Sequence, residues 1–187
     1  MGIEQSDLWP DDADGRPAVR AGAPARRKDE RTGGHAVEKK KKGGPGELVE
    51  RYGYTDADGE LVMEVLRYRT EDGGKTFRQR CPDGAGGWTW STSHLAERPL
   101  YRLPAVLAAV SSGEPVWVVE GEKDADALVA LGHAATCNPM GADNGGGNKW
   151  RPEHTAWLAG SRVWVVADRD DPGTVHASYV AARLEEA

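Results

Sequence analysis

The chain has 187 residues, with 24 Lys/Arg against 30 Asp/Glu, a hydrophobic fraction of 39% and 24 glycines. That length allows one ordinary domain or two small ones, and the low apolar content predicts a modest core beside a disordered part. No apolar run approaches the ~18 residues of a membrane span, no apolar signal region opens the chain, and Cys81 and Cys137 are too far apart for a zinc ribbon. A cytoplasmic protein with reduced thiols, no zinc and no membrane partner is expected.

The net charge of −6 argues against nucleic acid as a partner, but it is unevenly spread. Residues 1–46 carry ten Lys/Arg against eight Asp/Glu, and residues 47–187 carry fourteen against twenty-two. Local fields matter more than the total, so an acidic enzyme can still act on nucleic acid.

Residues 1–46 lack periodic apolar positions and end in Lys39-Lys40-Lys41-Lys42-Gly43-Gly44-Pro45-Gly46. They read as a disordered arm or linker. The lysine run is either a solvated charge run or a non-specific phosphate contact.

Residues 47–114 read as a small β-rich segment with a short helix. Val49 to Thr55 and Glu60 to Arg69 flank Asp56-Ala57-Asp58-Gly59, a hairpin turn signal. Glu71-Asp72-Gly73-Gly74 is a second turn, followed by a strand from Lys75 to Arg80. Arg67, Arg69, Lys75, Arg78 and Arg80 cluster here with Tyr68 and Phe77. Alternation is expected to put several of these on one face, either as a nucleic-acid platform or as a solvated basic face. Trp88 and Trp90 follow, as packing or base-stacking residues. Ala105 to Val110 is a short helix.

From Val116 the pattern alternates strand and helix. Val116-Trp117-Val118-Val119 runs into Glu120-Gly121-Glu122-Lys123-Asp124. A helix from Lys123 to Leu131 stops at Gly132, and a strand from Ala134 to Cys137 precedes a long glycine-containing loop to Trp150. Pro152 and Gly160 bracket a short helix. Val163-Trp164-Val165-Val166-Ala167 then runs into Asp168-Arg169-Asp170-Asp171-Pro172-Gly173, and a last helix covers Thr174 to Leu184. Runs apolar at every position predict strands covered on both faces, and the βαβ(α)βα order predicts a parallel sheet.

Ligands of such sheets bind at the carboxyl ends of the strands. Both acid-tipped runs deliver carboxylates there, an oxygen-rich set suited to a hard cation such as Mg²⁺. The loop at 141–149 does not match GxxxxGK[ST], so a P-loop is excluded, although its glycines permit close approach to a phosphate chain. Asp-x-Asp at a strand end also opens haloacid-dehalogenase phosphatase sites, but too little chain follows Asp171 for their remaining apparatus. For each carboxylate there is also a plain structural role, in complementing a helix dipole or making an Asp-Pro-Gly turn.

Taken together, Glu-Gly-Glu-Lys-Asp-Ala-Asp-Ala-Leu after one strand and Asp-x-Asp-x-Pro-Gly after a later one resemble the TOPRIM domain of bacterial-type primases, topoisomerases and some nucleases. The resemblance covers about residues 115–187. The preceding Phe77-Arg78-Gln79-Arg80, Trp88-Thr89-Trp90 and Leu100-Tyr101-Arg102-Leu103-Pro104 are similar to the region before TOPRIM in primase-helicase-like proteins of phages, plasmids and integrated elements. The fold implied is a TOPRIM-like parallel α/β sheet with flanking helices. It is preceded by the antiparallel β segment and the disordered arm, and by the resemblance it is expected either to lack the family's last strand or to have a partner complete the sheet.

By the resemblance, Glu120 is the general acid/base. Asp168 and Asp170 are metal ligands, with Glu120 and Asp124 contributing to one or two Mg²⁺ sites, Mn²⁺ being the alternative. Lys123, at the start of a helix, is a candidate phosphate contact, as are Lys149 and Arg151. Arg78 and Arg80 are candidate nucleic-acid contacts. The function implied is Mg²⁺-dependent, primase-type nucleotidyl transfer on a DNA template with nucleoside triphosphates, in replication of a mobile element. The expected partner is a replicative helicase or the remaining part of a primase, since the usual zinc module, full catalytic half and helicase motifs are missing. A TOPRIM nuclease and a non-catalytic DNA- or replisome-binding fragment are the alternatives.

Overall fold

The structure, a computed structural model, describes residues 45–142 and 149–187. The expected N-terminal arm up to residue 44 and the glycine-rich stretch 143–148 lie outside the described residues. Among the described residues, two sheets and four helices make up a mixed α/β architecture. Strands β1 (Glu47–Thr55), β2 (Leu61–Arg69), β3 (Lys75–Pro82) and β4 (Trp88–Thr89) form an antiparallel meander in the order β1-β2-β3-β4. Helix α1 (Leu103–Ser112) leads to β5 (Val116–Val118), α2 (Glu122–Ala130), β6 (Ala134–Thr136), α3 (Pro152–Leu158), β7 (Val163–Val165) and α4 (Asp171–Glu185). The last three strands form a parallel sheet in the order β6-β5-β7.

The turns follow local chemistry. Asp56 Oδ1 accepts from the backbone N–H groups of Asp58 and Glu60, and Gly59 takes φ 89°, which closes the β1–β2 turn. Strand alternation then sorts the side chains. Tyr52, Tyr54, Met63, Val65 and Cys81 turn inward as a core layer, joined by Val119, Ala125, Ala135 and Cys137 of the parallel half. Helix α2 ends where glycine was expected to stop it. The N–H of Gly132 reaches the carbonyl of Val129, and that of His133 reaches Leu128.

One face of the parallel sheet is covered. Val116 and Val118 pack with Leu103, Val106 and Ala109 of α1, Leu158 of α3 and Val180 of α4. The opposite face carries Trp117, which, like Leu128 and Val129 of α2, packs against the core layer shared with the antiparallel sheet. The expectation that both acid-tipped strands are covered on both faces therefore holds for β5 only in part and fails for β7. As the edge strand, β7 leaves Trp164 55% exposed, stacked on Trp117 with ring centroids 5.9 Å apart. An edge strand has a neighbour on one side only, so an all-apolar run does not by itself imply double coverage.

Two helix starts also differ from expectation. Helix α1 begins at Leu103 rather than Ala105, using Pro104 in its first turn. Helix α4 begins at Asp171, so Asp-Pro-Gly is the first turn of a helix and not a free turn.

Candidate active site

The strand order places β5 between β6 and β7. The chain leaves β5 into α2, whose side chains pack on the Trp117 face, and leaves β7 into α4, whose Val180 packs on the Val116/Val118 face. The carboxyl ends of β5 and β7 thus flank the point where connections diverge to opposite faces, the usual place for a ligand crevice in such sheets. Glu120 follows β5 and Asp168 follows β7.

A cleft of about 240 Å³ opens there. Its walls include Glu120, Gly121, Glu122, Asp124, Gly141 and Asp168, with Val65, Lys75 and Phe77 contributed by the antiparallel sheet. Glu120 is half-buried, and its Oε2 is buried with no hydrogen-bond partner among the described residues. Burial raises the proton affinity of its carboxyl above the usual range, and the charges of Asp168 and then Asp170 raise it further. The closeness of the Asp168 carboxyl also favours the protonated form, while the backbone N–H of Ala142 works in the opposite direction.

Two glycines make the crowding of carboxylates feasible. Gly173 is buried in the first turn of α4, and a Cβ there would lie 2.9 Å from both Asp168 Cβ and Asp170 Oδ1 and 3.0 Å from the Asp168 carbonyl oxygen. Gly141 takes φ 63°, and a Cβ there would lie 3.1 Å from the Glu120 carbonyl oxygen. The loop carrying Gly141 is held by Asn138, which is fully buried and donates to the Gly141 carbonyl at 2.9 Å. Asn138 Oδ1 also lies 3.0 Å from His176 Nε2 on α4, tying that loop to the helix that follows Asp168.

The site residues expected from sequence are distributed unevenly. Glu120, Asp168 and Asp124 line one cleft. Asp170 stands beside it with one oxygen committed to capping α4, where Oδ1 accepts from the Gly173 N–H at 2.7 Å. Among the described residues no three His, Cys, Asp or Glu side chains converge as a metal cage. Mg²⁺ is commonly held by one or two carboxylates, with waters and substrate phosphates completing its shell. The Glu120–Asp168 pair, with the unpartnered Glu120 Oε2, has the chemistry of such a donor set.

Of the expected cationic contacts, Lys123 is exposed in the first turn of α2. Lys149 differs from expectation. Its Nζ donates to the carbonyls of Met140 at 2.9 Å and Ala142 at 2.6 Å, so it clamps the Gly141 loop against its own backbone. Arg151 pairs with Glu153 at 2.6 Å. Arg80 donates to Glu64 at 2.6 Å and its guanidinium lies 3.7 Å from the centre of the Trp88 ring, while Arg78 sits 5.6 Å from that of Trp90. The two tryptophans are partly exposed and stack on arginines instead of filling the core.

Comparison with protein-family models, curated proteins and solved structures finds no match. The geometry of the cleft therefore carries the functional argument.

Two functional candidates escaped the sequence reading. Glu122 is 6% exposed and accepts from the Tyr54 hydroxyl at 2.7 Å, and burial raises its carboxyl above the usual range. Its position beside Glu120 was the only signal. Lys75 was noticed only as one of several basic residues, yet it reaches the same cleft as the carboxylates. The basic cluster is in fact divided by strand alternation. Arg67, Arg69 and Lys75 share the face of Phe77, and Arg78 and Arg80 occupy the other.

Proposed function

We propose that the chain is a TOPRIM-like protein of the primase type, acting in Mg²⁺- or Mn²⁺-dependent phosphoryl or nucleotidyl transfer on DNA. The observation that carries this reading is the placement of Glu120 and Asp168 at the ends of neighbouring parallel strands, on one cleft, with a buried Glu120 oxygen that has no donor among the described residues. A hard divalent cation, when bound by Asp168 and Glu120 with Asp124 or Asp170 beside them, supplies neutralisation of phosphate charge.

The chain's own groups do the rest. Glu120, with its raised proton affinity, is suited to take a proton from an attacking hydroxyl and return it. Gly141 and Gly173 let backbone and carboxylates approach closely. Lys149 fixes the loop that forms one wall. The expected substrates are a DNA template and nucleoside triphosphates, with a helicase or further primase part as partner. That setting, and cytoplasmic replication of a mobile element, belong to the same proposal; among the described residues no helix is long and apolar enough to cross a membrane.

Calorimetric titration with Mn²⁺ tests the site. Wild type is expected to bind, and a Glu120→Gln, Asp168→Asn double variant is expected to lose binding; unchanged binding would sink the reading. Template-directed incorporation of labelled nucleotides then reports primase chemistry, and nicking of supercoiled plasmid with water as the nucleophile reports a nuclease instead.

A further inference from the structure

Lys75 stands out because it lines two cavities at once. One is the carboxylate cleft, whose lining it shares with Phe77, Glu120 and Asp168. The other, about 300 Å³, is walled by Val49, Arg67, Tyr68, Arg69 and Gly74 as well as Lys75. Along the inner face of the antiparallel sheet the side chains change from the apolar Met63 and Val65 to the basic Arg67 and Arg69 on β2. On β3 they change from Cys81 through Phe77 to Lys75. Of these basic side chains, Lys75 is the one that also lines the carboxylate cleft.

Folding alone does not account for this arrangement. Lys75 is the direct cross-strand partner of Arg69, and like charges in that relation are destabilising. Among the described residues Arg69 makes one ion pair, with Glu47 at 3.8 Å, an exposed pair of little worth. Arg67 lies beside the Tyr52 hydroxyl and eases its ionisation. Lys75 makes no hydrogen bond or ion pair among the described residues. An anion bound between these cations would relieve the repulsion that the strand register imposes.

We propose that Lys75, with Arg69 and Arg67 behind it, forms a phosphate-binding subsite that lays a phosphate-bearing ligand from the basic end of the antiparallel sheet toward Glu120 and Asp168. Phe77 lines the same cleft and offers an apolar wall against which a base can stack. The subsite rests on the reading of the carboxylate cleft as a phosphoryl-transfer site. The phosphate belongs either to a nucleoside triphosphate or to a nucleic-acid strand; the chemistry of recognition is shared.

The test uses the full chain in EDTA, so that it reads phosphate binding without metal. Anisotropy of a fluorescent single-stranded oligonucleotide and of a fluorescent nucleoside triphosphate is measured for wild type, Lys75→Gln, Lys75→Arg and Arg69→Gln. Because Lys75 is exposed, its variants are expected to fold, which circular dichroism checks. Lys75→Gln is expected to weaken one of the two ligands about tenfold and Lys75→Arg to restore it. If the strand is the ligand, the slope of log affinity against log salt falls by about 0.7. Loss confined to the triphosphate identifies the nucleotide as ligand, and loss confined to the oligonucleotide identifies the strand. The lysine run at 39–42 is unchanged in every variant, so a difference between them belongs to the cleft. Wild-type affinity in Lys75→Gln for both ligands, or no binding of either by wild type, overturns the subsite. Those outcomes leave Mn²⁺ binding at Asp168 untouched, whereas failure of the Mn²⁺ titration with Lys75-dependent phosphate binding intact overturns the metal site alone.

Discussion

The hydroxyl of Tyr54 donates a 2.7 Å hydrogen bond to Glu122 Oε1, joining β1 to the first turn of α2 across 68 residues of sequence. Both groups are buried, and the thiol of Cys137 lies 3.7 Å from the same hydroxyl. The bond fixes the antiparallel sheet, which carries Lys75 and Phe77, against the element that follows Glu120. Burial raises the proton affinity of Glu122.

Tyr54→Phe removes the donor and leaves the Glu122 carboxylate buried without it. The expected cost is about 1–3 kcal/mol, read by urea unfolding at neutral pH. The sign of the pH dependence follows from the raised pKa. The folded state holds the Glu122 proton more tightly, so its contribution is greatest below the unfolded value near 4.5 and is lost as pH rises through the folded value. The penalty of Tyr54→Phe is therefore expected to shrink in acid; a pH-independent penalty would contradict the assignment.

Gly173→Ala places a Cβ 2.9 Å from Asp168 Cβ and from Asp170 Oδ1. The loop after β7 must move, and overpacking of this kind costs about 1–3 kcal/mol. The stronger expectation concerns function. Mn²⁺ affinity is expected to fall in Gly173→Ala although no carboxylate has been removed, and calorimetry that finds wild-type affinity would show that the position of Asp168 is not set by this contact.

Much of this architecture is legible in the sequence because it is local. Asp56 to Gly59 encodes its turn, Gly132 its helix stop, and the acid tips of two apolar runs bring Glu120 and Asp168 to one sheet edge. What escapes is what depends on distant partners. Glu122 looks like one more acid in a charged first turn, next to the exposed Lys123. Its burial comes from Tyr54, in the other sheet. The basic residues of β2 and β3 look like one platform until the register divides them, with Arg80 held by Glu64 and Trp88 while Lys75 turns to the cleft. The exposure of Trp164 depends on strand order, which an apolar run does not specify.

Asp170 separates two roles that coincide in the sequence motif. Its Oδ1 accepts from the Gly173 N–H at 2.7 Å, as an N-cap of α4. Asp170→Ala is expected to lose about 0.5–2 kcal/mol of stability, and Asp170→Asn, which keeps a capping oxygen, much less. If Asp170 also ligates metal, Asp170→Asn loses Mn²⁺ affinity at nearly unchanged stability. Retained affinity in Asp170→Asn would assign this aspartate to the helix alone.

His154 supplies a pH dependence of opposite sign. It is fully buried, its Nδ1 faces the Arg151 N–H at 3.1 Å, and its Nε2 lies 2.8 Å from the Arg98 carbonyl oxygen. That geometry fits the neutral ring with its proton on Nε2, because Nδ1 must accept. Burial lowers its pKa from 6.5 to about 4. The unfolded chain takes the proton first, so stability falls as pH drops from 6.5 toward 4 and the full loss, about 3 kcal/mol, is reached below that. His154→Gln is expected to be less stable than wild type at pH 7.5 yet to lose less on going to pH 5, as urea unfolding at the two pH values measures. An equal loss in both proteins would mean that His154 is not the group that takes up the proton. Because His154 anchors α3 to the segment before α1, the loosening in acid is expected to appear first at Arg98 and Arg151, as faster amide exchange there than in β2.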